Sequence, residues 1–285
     1  MVKYNEVGGF MKKIEDYVSN ISFEEAYVKI DRNKIDYLIK GDSNAKFPIR
    51  IKKIGFLAIS LFMPIMMILS YTSAKDNLVT TVFSRTIAIT TATSLILISL
   101  FSYFKSRHFL KNYGYKEFIY SSLKILFLSY ICGSIGTVDS NYIIHLVTII
   151  IYVPTCLYLC YIVEKNMLIE YINLTFGKEY KTNKILSLLV KMAGIIMILG
   201  LVIVHLYRIN KSWIDKDSIN DSINGLGVSM TLIVIAGAFF MIIISLLPTY
   251  ISFKADLRIQ NKLVIKYSEE FREMYGYYKE EWYGE

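Results

Sequence analysis

Six stretches of the chain lose the polar residue that a soluble helix shows at every turn. They run over residues 54–74, 86–104, 118–138, 141–163, 185–207 and 225–250, each 19 to 26 residues long. A helical crossing of a bilayer needs roughly 20 apolar residues, so every stretch is long enough to span. The third and fourth are separated only by Asp139 and Ser140, a turn that forces them to run antiparallel as a hairpin. The pattern predicts an all-α integral membrane protein of six transmembrane helices, located in the cell membrane as a multi-pass chain. Three regions follow: an N-terminal segment over 1–53, a six-helix transmembrane domain over 54–253 and a tail over 254–285.

Lysine and arginine set the orientation, because basic residues close to spans are retained in the cytoplasm. The N-terminal segment, the loops 105–117 and 164–184, and the tail together carry 25 of the 32 basic residues. Both termini are therefore expected in the cytoplasm. Lys124 and Lys191 are the only charges inside spans. Each stands at the seventh position of its span, about 9 Å deep by helical rise, a depth from which a lysine stem snorkels to the headgroups. A pair of cations lining a substrate path is the functional alternative.

Outside the spans the pattern is mixed. The opening MVKYNEVGGF is polar and lacks an apolar signal core, so the first span is expected to direct insertion. Phe10, Ile14, Tyr17, Val18 and Ile21 recur at helical spacing and predict an amphipathic helix lying on the inner leaflet or on the protein. The run AYVKI, DRNK, IDYLIK reads as strand, turn and strand, a small β-hairpin, against a helix capped at Ser22 with Glu25 behind it. Residues 164–176 extend the fourth span as a helix with Met167, Leu168, Tyr171, Ile172 and Phe176 on one face, and Gly177 stops it.

Within the spans, small and hydroxylated residues stand out. Ser129, Gly133 and Thr137 are four apart and predict a face of close helix packing. Thr86, Thr90, Thr91, Thr93, Ser94, Ser99 and Ser102 fill the second span with hydroxyls, which bond to helix carbonyls in a packed interior or line a polar path. Pro64 is expected to kink the first span and Pro248 to mark the inner end of the last. In the tail, Lys254, Arg258, Lys262 and Lys266 repeat every four residues, a basic stripe suited to anionic headgroups of the inner leaflet. The aromatic-rich end that follows is expected to be helical and to fold back on the cytoplasmic segments.

Composition changes the picture little. The chain of 285 residues is 54% hydrophobic with mean hydropathy +0.42, and its net charge of +8 follows from the inner-leaflet bias without calling for nucleic acid. No GxxxxGK(S/T), HExxH or GxSxG motif is present, and no span contains Asp or Glu. No catalytic residue, cofactor or metal site is therefore expected, and the chain does not read as an enzyme. Cys156 and Cys160 share a helix face but have no His or acid at their level, so they and Cys132 read as packing residues. His145 and His205 fall near the outer surface, as amphipathic anchors or a proton-sensing pair. Asp215, Asp217 and Asp221 lack the glycine and glutamate of a calcium loop and read as solvated.

The ending SEEFREMYGYYKEEWYGE, Ser268 to Glu285, behind a small six-span body, resembles uncharacterised multi-pass membrane proteins encoded near type VII secretion loci of Gram-positive bacteria. Some of these are thought to give immunity against a secreted toxin. The resemblance implies a non-catalytic protein whose partners are the lipid bilayer and a secreted toxin or another membrane protein. The alternative is a permease-type subunit of a small transporter or ABC exporter.

Overall fold

The computed structural model of the chain describes residues 14–41, 47–73, 78–105, 110–135, 142–182, 188, 192 and 242–283. The described residues are helical and contain no strand. All but residues 188 and 192 of the span expected over 185–207, most of that over 225–250, the 139–140 turn and the acidic outer loop lie outside the described residues.

Where the sequence leaves a β-hairpin and a capped helix as even alternatives, two short helices form, α2 (Phe23–Lys29) and α3 (Arg32–Lys40). Their starts explain the choice. Ser22 Oγ accepts from the Glu25 amide at 3.2 Å, and the Glu25 carboxylate accepts from the Ser22 amide at 2.9 Å, so two orphan donors are satisfied reciprocally. Asp31 caps α3 by accepting from the Lys34 amide at 2.9 Å. The Asp-Arg-Asn-Lys run that resembles a hairpin turn is thus a cap and a first turn. Before them, α1 (Ile14–Ser19) buries Tyr17 and Val18, with Ile21 just beyond, so its apolar face lies on the protein. Phe10 lies outside the described residues. Lys178 Nζ donates to Glu25 at 2.7 Å; that bond and the Ser22 amide hold the Glu25 carboxyl below the usual carboxylate range.

Four long helices follow: α4 (Ile49–Ser73), α5 (Leu78–Lys105), α6 (Lys111–Ile135) and α7 (Tyr142–Phe176). α4 packs on α5, and α5 on α6. Pro64 lies within α4 and Pro154 within α7. α7 has 35 residues, about 52 Å at the helical rise, so the fourth span and its expected extension form one rod. It stops where Gly177 takes φ +62°, a left-handed conformation suited to glycine. In α5, Thr90 and Thr91 donate to the carbonyls of Thr86 and Ile87 at 2.8 and 2.7 Å, the back-bonded arrangement of a hydroxyl within a helix.

By length and composition, one stretch among the described residues, Ile149–Phe176, is long and apolar enough to cross a membrane; Thr86–Phe101 and Ile242–Ser252 are shorter apolar helices. Six such helices were expected. Outward-facing apolar side chains are nonetheless spread over several long helices, among them Ile54, Ile59 and Phe62 on α4, Leu97 and Phe101 on α5, and Ile143, Ile150 and Ile151 on α7.

The chain ends in α8 (Leu247–Ser252), α9 (Ala255–Lys266), α10 (Ser268–Met274) and α11 (Lys279–Tyr283). Pro248 sits in the first turn of α8, where its missing amide costs nothing. These helices pack with α1–α3 and the end of α7 around one hydrophobic core that includes Ile21, Ile35, Ile172, Ile259, Phe271 and Trp282. The tail therefore folds back on the N-terminal segment, as its aromatic density implies. Two tyrosines fasten it: Tyr267 donates to the Ile21 carbonyl and Tyr275 to the Ile30 carbonyl, both at 2.7 Å. Phe23 meets Phe271 edge-on at 5.2 Å.

Candidate functional site

Tyr113, Glu117, Tyr120 and Lys124 are spaced four, three and four residues apart, which places them along one face of α6. Opposite that face stands Glu164, in the middle of α7. The start of α9 brings in Arg258, and α8 contributes Thr249. The result is a charged junction where the long helices meet the terminal cap.

Glu164 is its centre, with its side chain 10% exposed. One carboxylate oxygen accepts from Lys124 Nζ at 2.6 Å and from the Tyr120 hydroxyl; the other accepts from Arg258 at 3.0 Å. Arg258 reaches on to Glu117 at 3.4 Å, and Tyr113 donates to the same Glu117 oxygen at 3.0 Å. Tyr120 also meets the Thr249 hydroxyl at 3.1 Å. Two cations and two anions thus balance, and aromatic faces back both cations: Lys124 lies 4.9 Å from the Tyr120 ring centre and Arg258 lies 5.2 Å from that of Phe253.

Burial works against the charge of Arg258, yet Glu117, Tyr113 and Glu164 outweigh it and raise its pKa above the ordinary arginine value. Burial, with Glu117 beside it, likewise pushes the Tyr113 hydroxyl well above the usual phenol range, so it stays a donor. A group of this kind holds helices in register. Every charged member is paired, and the arrangement presents neither a nucleophile beside a base nor an open carboxylate pair.

Lys124 was expected to snorkel to the headgroups and instead points at Glu164. Glu164 escapes a search for charges within spans because it is the first residue after the fourth one. Lys191 lies outside the described residues. The basic stripe, expected to face anionic headgroups, is mostly turned toward the protein. Arg258 is in the junction and Lys262 pairs with Glu15. Lys266 donates to the carbonyls of Ser19 and Ile21, each at 3.0 Å, at the end of α1, where a cation is favoured. Lys254 alone of the four is exposed without an ion pair among the described residues.

Ser129 is half-buried on α6. Thr137 and the surroundings of Gly133 lie outside the described residues, as do the His145 side chain and His205. Cys132, Cys156 and Cys160 are buried free thiols. Among the described residues no group of His, Cys, Asp and Glu is placed to hold a metal.

The fold and junction define an all-α protein whose long apolar helices are clamped at one end by a charged knot and a mixed N- and C-terminal cap. No protein-family model, no curated protein sequence and no solved structure matches the chain.

Proposed function

We propose that the chain is a non-catalytic multi-pass membrane protein that binds another protein at the membrane, as an immunity factor against a secreted toxin. The observation that carries the membrane part is the outward-facing apolar surface of α4, α5 and α7. Only a third of the most apolar part of Ile149–Phe176 is covered by the protein, whereas a soluble core helix of that length is mostly covered. Bilayer lipid is the solvent that suits such a surface. The non-catalytic part is supported by the junction, which spends its charges on one another. The immunity role draws on the resemblance of Ser268–Glu285.

The permease-type reading has less support. Its motive is the hydroxyl content of α5, and Thr90 and Thr91 donate to their own helix.

Expression of the chain is expected to protect cells from membrane depolarisation by a toxin encoded beside its gene, read with a potential-sensitive dye. Unchanged killing at full expression would remove the immunity role.

A further inference from the structure

Beside the junction, a shallow open groove runs between α6 and the link from α8 to α9, with a cavity volume of about 10 Å³, room for one water-sized group. Its apolar lining comes from Tyr120, Phe253 and Leu257. Lys116, Lys254 and Ser252 supply polar groups. Glu117 and Tyr113 also line it, but the Glu117 carboxylate is already met by Arg258 at 3.4 Å and by the Tyr113 hydroxyl at 3.0 Å. The two lysines differ from the other cations here. Neither forms an ion pair among the described residues; Lys116 lies only against its neighbour Tyr115, at 6.0 Å from the ring centre. Among the described residues the groove therefore holds two unspent positive charges and no unspent negative one.

Depth supplies a second argument. Lys116 precedes the apolar stretch that begins at Phe118, and Lys254 follows the one that ends at Tyr250. If those stretches cross the bilayer, both lysines stand at the headgroup level of one leaflet. We propose that the open mouth of this groove binds a phosphate-bearing anion, with Lys116 and Lys254 pairing to the phosphate and Ser252 donating a hydrogen bond. The phosphate comes from an anionic lipid headgroup or from free phosphate. The lipid source rests on the membrane-spanning reading; the pairing chemistry does not.

The test uses the full chain and two double variants, Lys116→Gln with Lys254→Gln in the groove, and Lys29→Gln with Lys181→Gln as an equal loss of charge elsewhere. Native mass spectrometry counts phosphatidylglycerol retained from nanodiscs of phosphatidylcholine mixed with phosphatidylglycerol. In a parallel arm, thermal unfolding in phosphatidylcholine nanodiscs is followed as inorganic phosphate is added. The groove variant is expected to lose roughly tenfold to thirtyfold in affinity, the scale for two headgroup-facing lysines, while the control keeps wild-type affinity. A selective loss in the lipid arm assigns the phosphate to a headgroup, and one in the phosphate arm alone assigns it to a free anion. Wild-type behaviour of the groove variant in both arms, or an equal loss in the control, overturns the site. Release of the chain from membranes by alkaline carbonate would refute the spanning reading alone, and phosphate titration of the released protein would still decide the groove.

Discussion

At the scale of single residues, Glu164 carries the most consequence. It accepts from Lys124, Tyr120 and Arg258 together, so removing its charge strands Lys124 and leaves Arg258 with Glu117 alone. Glu164→Gln is expected to destabilise the fold by about 3 kcal/mol, the lower end of what one lost partner costs in a buried pair. Lys124→Met should cost less, because Glu164 keeps Arg258 and Tyr120. The double variant should fall short of the sum, since both changes break the same bond. Thermal unfolding of the four proteins in one detergent gives the cycle. Additive losses, or a larger loss at Lys124, would show that Glu164 is not the centre of the knot. Lys124 was visible in the sequence as a charge within an apolar run. Its partner was not, because Glu164 lies 40 positions away and the pairing depends on how α6 and α7 face each other.

Between elements, the long helices were legible and the pair of short ones over residues 22–40 was not. Apolar runs of about 20 residues predict long helices, and α4 to α7 each cover most of the run that predicts them, although α5 and α6 start seven or eight residues earlier. Residues 22–40 lack that constraint. The β-branched and aromatic residues of AYVKI and IDYLIK favour a strand, yet the caps at Ser22 and Asp31 and the burial of Ala26, Ile35 and Leu38 decide for helices. Their buried face exists only because the tail covers it. Phe271 is fully buried and touches Phe23 and Tyr275, so it pins α10 against α2. Phe271→Ala is expected to cost about 3–5 kcal/mol at this contact and to expose the tail to protease while α4–α7 stay intact in the micelle. Met274→Ala, at an exposed site on the same helix, should leave the digestion pattern unchanged. Mass spectrometry of the fragments reads the difference, and a protected tail in the Phe271 variant would mean that other contacts hold it.

For the whole molecule, the cap fixes which end of the helix bundle is which. Residues near 20 and near 270 share one core although some 250 positions separate them, a proximity that no local pattern encodes. Asn112, in the first turn of α6, donates to the Tyr37 carbonyl at 2.8 Å, which ties that end of α6 to the cap. α6 then runs 25 residues away from it, about 38 Å at the helical rise and enough to cross a hydrocarbon core. In a spanning protein Lys111 must therefore share the side of the cap, and Ser140 must lie on the other. By the charge rule the cap of such a protein is expected inside, because the segments that build it carry most of the lysine and arginine. Lys111→Cys and Ser140→Cys, each introduced with Cys132, Cys156 and Cys160 replaced by Ser, separate these arguments. An impermeant maleimide on intact cells is expected to label Cys at 140 and to reach Cys at 111 only after the cells are opened. Labelling of 111 alone in intact cells would keep the span but invert the orientation. Equal labelling of both from one side would refute the crossing by α6, and with it the proposal that the exposed apolar faces of α4, α5 and α7 meet lipid.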